Sequence, residues 1–91
     1  MVNFYKPKSA EINAPTTAGS ASTVSNARVV RAVNSSASAA YLLTMYGEDF
    51  ADSNSMTLAP METVIVPKNA SDKIYAANAA VKLTKITYPK G

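Results

Sequence analysis

Met56-Thr57-Leu58-Ala59-Pro60-Met61-Glu62-Thr63-Val64-Ile65-Val66-Pro67 is the stretch that decides the fold class. Thr63, Val64, Ile65 and Val66 are β-branched, which suits a pleated, half-buried surface and disfavours a helix. Pro60 presets φ at about −65° for a turn, and Pro67 has no N–H with which to continue a central ladder. The stretch therefore predicts a β-hairpin: a strand over 55–58, a turn at Pro60, and a strand over 62–66.

Working outward, each remaining apolar run is short enough to be one strand. Ala27-Arg28-Val29-Val30-Arg31-Ala32-Val33 is a strand by its valines, followed by a polar turn at 34–38. Residues 39–46 place Tyr41, Leu43 and Met45 on one face and Leu42, Thr44 and Tyr46 on the other. Bulk on both faces suits a strand covered twice, or one whose outer face meets a partner. A helix over 39–46 is the alternative, but Gly47 leaves it little length. Residues 73–76 form a short strand with Ile74 inward and Tyr75 outward, or the reverse. In 81–88, Val81 and Leu83 share one face while Ile86 and Tyr88 share the other. Unless both faces are covered, an extra residue near Thr84-Lys85 must shift the phase, and a β-bulge is expected there. Five or six short strands with turn chemistry between them predict an all-β fold, a small antiparallel sandwich or barrel.

The N-terminal quarter differs in composition. Residues 14–26 are Ala, Thr, Ser, Gly, Pro and Asn around the lone Val24, too little apolar bulk to offset ordering entropy. This predicts an extended arm and linker over 1–25 and a β domain over 26–91. In that division Phe4, Tyr5 and Ile12 are anchors on a neighbouring subunit, or the segment is a frayed terminus. Deleting residues 1–20 would then leave the β core folded.

The chain has 91 residues, 47% of them apolar but rich in Ala, with neither Cys nor His. Disulfides and the usual zinc ligands are therefore absent, and burial against partner chains is the favoured route to a secure fold. The net charge of +3 is far from a nucleic-acid footprint. Arg28 and Arg31, and likewise Lys82 and Lys85, fall on opposite strand faces. No apolar run approaches the ~18 residues that span a bilayer. The start of the chain lacks the apolar core of a secretory signal, so synthesis in a soluble compartment or export within a larger assembly is expected.

Reactive groups are scarce. Without His or Cys, the commonest general base and the thiol nucleophile are missing, and nothing places a particular Ser beside a particular Lys. The reading is non-enzymatic, with no cofactor. Glu48, Asp49 and Asp52, with Asn54 nearby, offer oxygen ligands for Ca²⁺ but lack EF-hand spacing. A solvated turn or a contact with a basic neighbour serves equally. Tyr41, Tyr46 and Tyr75 are candidates for partner contact or for stacking on sugar rings, and Met61 for exposure at the turn or insertion into a partner. Asn34-Ser35-Ser36 and Asn69-Ala70-Ser71 match the glycosylation tripeptide without a secretory context.

Three runs, V-V-R-A-V-N (29–34), L-A-P-M-E-T-V-I-V-P-K (58–68) and S-D-K-I-Y-A-A (71–77), follow the Ser/Thr/Ala-rich segment. Together they resemble the small virion structural proteins of tailed bacteriophages, notably phages of cyanobacteria and other aquatic bacteria. Met61 stands where Gly often follows Pro in such turns. The resemblance implies a building block present in many copies in the virion and assembled in the host cytoplasm. Its first implied role is a capsid decoration (cement) protein that binds the major capsid protein between subunits, as a homo-oligomer or in multiple copies. A tail, neck or baseplate component, or a displayed glycan- or host-binding module, is the alternative. Charge and the absence of a long apolar run, not the resemblance, argue against a membrane or nucleic-acid partner.

Overall fold

The computed structural model describes residues 6–47 and 54–87. The anchors Phe4 and Tyr5, the acidic residues Glu48, Asp49 and Asp52, and Tyr88 lie outside them. Eight strands form in order: β1 (Lys6–Pro7), β2 (Ile12–Asn13), β3 (Val29–Asn34), β4 (Tyr41–Tyr46), β5 (Asn54–Leu58), β6 (Thr63–Pro67), β7 (Lys73–Ala76) and β8 (Val81–Thr87). They make two antiparallel sheets, β1-β8-β3-β6 with β2 also on β8, and β5-β4-β7. The sheets pack face to face, so the fold is a small β-sandwich and not a closed barrel.

Alternation fills the space between them. Val30, Ala32, Leu58, Ile74, Ala76, Val81 and Leu83 are fully buried, and Leu43 and Val66 nearly so. Ile74 is thus the inward residue of β7, and residues 39–46 carry a strand instead of a helix.

The opening stretch does not form a hairpin. β5 pairs with β4, whereas β6 pairs with β3, so the chain between them is an arch that crosses from one sheet to the other. Leu58, fully buried, is pulled into the interior at the crossing, where a hairpin would have kept both strands in one plane. The turn itself forms as its residues dictate. Glu62 N–H donates to the Ala59 carbonyl at 3.0 Å, and the Glu62 carboxylate accepts the Ala59 N–H at 2.8 Å. Pro60 precedes Met61, which adopts φ 63°. A left-handed backbone costs a residue with a Cβ about 1 kcal/mol that glycine avoids. Met61→Gly is therefore expected to stabilise the fold by roughly 0.5–1 kcal/mol. The readout is a higher urea midpoint at an unchanged slope.

No bulge interrupts β8. Its pairing with β3 runs without a break from Val30↔Lys85 to Asn34↔Val81. The other condition holds instead: both faces of β8 are covered. Thr84 and Ile86, on the face opposite Leu83, are 7% and 4% exposed. The irregularity sits in the partner, because Pro7 pairs with Ile86 while Ile12 pairs with Leu83. Two extra residues in 8–11 loop out there, and the Ser9 hydroxyl accepts the Lys85 N–H at 3.1 Å.

Residues 12–25 are not a linker. Ile12 packs against the core, and Ala14 and Val24 are buried in it. From β2 the chain crosses to the second sheet, where Pro15 accepts from Ala76 N–H and Ser22 bridges to Ile74. It returns through Val24, Ser25 and Asn26 at φ 53°, 57° and 57°, one left-handed turn. Ser22 and Thr23 hydroxyls accept the Val24 and Asn26 N–H groups. The Ser/Thr/Asn composition that suggests flexibility instead supplies the side-chain acceptors this turn requires. The packed domain thus reaches back beyond residue 26.

Candidate functional site

The sandwich is closed along one side and open along the other. On the closed side, segment 12–22 spans both sheets. On the open side lie the outer edges of β5 and β6, joined at one end by the arch. Between them is an apolar groove of about 110 Å³ lined by Leu43, Met45, Met56, Val66 and Ile74, with Asn54 and Ser55 at its mouth. The large hydrophobic side chains most exposed among the described residues are Leu42 (44%), Met56 (45%) and Met61 (64%). All three belong to β4, β5 or the arch that follows. Leu42 lies opposite Thr57, and Met56 opposite Leu43. β5 itself, Asn-Ser-Met-Thr-Leu, has neither charge nor proline to blunt its edge. Methionine walls adapt to different apolar partners because the thioether chain is flexible.

The residues expected to meet partners are distributed differently. Met61 is at the exposed tip of the arch. Ile12 and Tyr41 are half-buried and packed against the core, so much of their apolar surface is used within the chain. Tyr46 and Tyr75 form an edge-to-face pair on the outer face of the second sheet, with centroids 6.5 Å apart and planes at 68°. Tyr46 also donates its hydroxyl to the Ala18 carbonyl. Leu42 and Met56 escape sequence reading because a strand with bulk on both faces does not reveal which face is covered.

The titratable residues serve the loops. Asp72, 3% exposed, accepts the Asn69 N–H and so closes the loop after β6. Lys68 donates to the carbonyls of Asn69, Ala70 and Asp72 at 3.0, 3.3 and 2.8 Å. A Cβ on Gly47 would overlap the Asp72 carboxylate, which is why β4 ends on a glycine. Burial pushes the Lys68 ammonium below the ordinary lysine range, and the Asp72 carboxylate offsets part of that. Between its lowered folded value and the ordinary lysine value, the unfolded chain holds a proton that the folded chain has lost. Stability contributed by Lys68 therefore rises with pH through that window. The stability difference between wild type and Lys68→Met is expected to grow in favour of wild type from neutral to alkaline pH. Urea titrations at each pH measure it.

Lys82 donates to Asn13 and Ala79, and Lys85 to the Ser25 carbonyl, on opposite faces of β8. Among the described residues no three His, Cys, Asp or Glu side chains gather as metal ligands, and no helix is long and apolar enough to cross a membrane. Asn34 is completely buried, so in the folded chain its amide is out of reach of glycosylation. No family model, curated protein or solved structure matches the chain.

Proposed function

We propose that the protein is a non-enzymatic structural subunit that works by adhering to larger protein chains. Its setting, on the sequence resemblance, is the virion of a tailed phage, and its first role there is capsid decoration. The observation that supports adhesion is the exposure of Met56 on the open edge strand β5 beside an apolar groove, with Met61 exposed on the adjoining arch. An exposed patch of that kind on a small domain marks a contact site. A strand of the major capsid protein laid against β5 would satisfy its free N–H and C=O groups while placing an apolar side chain in the groove. The glycan-binding alternative would use Tyr46 and Tyr75, whose planes at 68° offer no shared flat face for a sugar ring.

Quantitative mass spectrometry of purified virions tests the setting. A copy number comparable to that of the major capsid protein is expected for decoration. A few copies per particle would move the protein to the tail, neck or baseplate, and absence from particles would overturn the reading. Met56→Lys tests the surface: it should prevent attachment to particles while the circular dichroism of the free protein stays unchanged.

A further inference from the structure

The turn at Val24, Ser25 and Asn26 concentrates backbone strain. Among the described residues four non-glycine residues have positive φ, and three of them are consecutive here, at 53°, 57° and 57°. Left-handed backbone is ordinarily visited by single residues, glycine or asparagine first, because Cβ crowds the following carbonyl. Val24 is β-branched, for which such a φ is a rare outlier. The Ala27 N–H donates to the Thr23 carbonyl at 3.1 Å, so these residues make one left-handed helical turn that returns the chain from the second sheet toward β3. The partners of segment 6–22, by contrast, lie far along the chain. β1 and β2 pair with β8, Glu11 meets Arg31, Pro15 accepts the Ala76 N–H, Ala18 accepts the Tyr46 hydroxyl, and Ser22 bridges to Ile74. The strained turn is thus the only covalent link between this segment and the body it packs on.

A contact between two parts of one chain can be made equally well between the same parts of two chains, with every bond kept. We propose that residues 23–26 are a hinge, and that segment 6–22 of one copy docks on a second copy in place of its counterpart, which returns its own. The exchanged contacts need no new complementarity, because they are the ones already made within the chain. A short hinge under strain is the feature that makes such an exchange compete with the closed form. Opened, Val24, Ser25 and Asn26 regain extended backbone, and four extended residues reach about 14 Å toward the second copy. Two terms hold the chain closed. Val24 is 2% exposed, and the Ser22 and Thr23 hydroxyls accept N–H groups of the turn. In the exchanged pair the two hinges run past each other about the two-fold axis, where Val24 of each can be covered again. Concentration then decides between monomer and dimer. The exchange takes place on the closed side of the sandwich, so it leaves the β5 edge free and does not depend on the virion setting.

The chain has no cysteine, so introduced ones report the exchange cleanly. Asn13 and Lys82 are directly opposed across β2 and β8. Full-length Asn13→Cys and Lys82→Cys chains are mixed in equal amounts, unfolded in urea, refolded together at high concentration and oxidised. An exchanged pair sets the cysteine of one variant beside that of the other and never two of a kind, so mixed disulfides are expected in large excess. Chance collision would make mixed and like disulfides in equal amounts. Size exclusion of the wild type refolded in the same way should show a dimer that persists after dilution, because reversal requires β1 and β2 to leave β8. Ser25 and Asn26 have exposed side chains, so changes there spare the core. Replacing both with glycine relieves the closed turn and should lower the dimerisation constant about tenfold or more. Ser25→Val, which sharpens the strain, should raise it. Equal amounts of mixed and like disulfides, a wild type without dimer, or a double-glycine variant that dimerises as the wild type does would overturn the proposal. A dimer abolished by Met56→Lys would also overturn it, by placing the second copy on the β5 edge.

Discussion

Asn34→Ala is expected to cost about 3 kcal/mol, a large share of the ~5–14 kcal/mol available to a chain of this length. Asn34 ends β3 with no exposed surface. Its amide nitrogen donates to the carbonyls of Ala39, Leu58 and Ala59 at 2.8, 3.1 and 3.2 Å, and its oxygen accepts the Ser36 N–H at 3.0 Å. One side chain thereby joins the end of β3, the approach to β4 and the end of β5 where the arch departs. Its backbone N–H also donates to the Glu62 carbonyl on the far side of the arch. Alanine leaves several enclosed polar groups without partners, each costing about 1–3 kcal/mol unless water enters. At roughly 4–8 °C per kcal/mol the melting temperature should fall by about 12–24 °C. Asn34→Asp separates bonding from volume. It keeps the size and the acceptor but turns both donors into a carboxylate facing three carbonyls, so at neutral pH it should be at least as damaging. If either variant melts within a few degrees of wild type, the arch is not held by this amide.

Much of the fold is legible in the sequence because strand chemistry is local. The β-branched run 63–66, the prolines at 60 and 67 and the valines of β3 each predict their element from their own residues. Partner choice is not local, and there sequence reading fails. The segments flanking Pro60 look like a hairpin because they are adjacent in sequence. Which sheet each joins depends on β3 and β4, some distance back along the chain, and on whether Leu58 turns inward. The phase change in β8 is visible in its residues, but its cause is not. A bulge and a second covering layer leave the same trace in the sequence, and only the position of residues 7–11 separates them. The partner surfaces are the least legible. Sequence ranks aromatic residues as contact candidates, but Tyr41 and Ile12 pack on the core. The exposed Met56 and Leu42 look like ordinary strand residues.

That segment supplies the other large effect. Removing residues 1–20 is expected to abolish cooperative folding, whereas removing residues 1–5 should leave the melting transition in place. β8 is flanked by β3 on one side and by β1 and β2 on the other. Without the latter it becomes an edge strand. Lys85 loses the Ser9 hydroxyl, Ala76 the Pro15 carbonyl and Tyr46 the Ala18 carbonyl, and Val81 loses the Ala14 N–H. At about 1 kcal/mol net for each bond, before any exposed apolar surface is counted, the loss is on the order of 4 kcal/mol. Ile12 and Ala14 also leave the core, uncovering the flank of Leu83 and Val81. A sandwich whose buried side chains are mostly alanine and valine has few large contacts left to absorb this. Far-UV dichroism and a urea titration of the two truncations give the answer. A folded 21–91 fragment with a sharp transition would restore the arm model and show that residues 12–20 are not needed for the fold. The same comparison decides how attachment experiments are read. Loss of particle binding in the longer truncation would report unfolding, so contacts made by the N-terminal residues have to be sought with the shorter one, in which the sandwich stands.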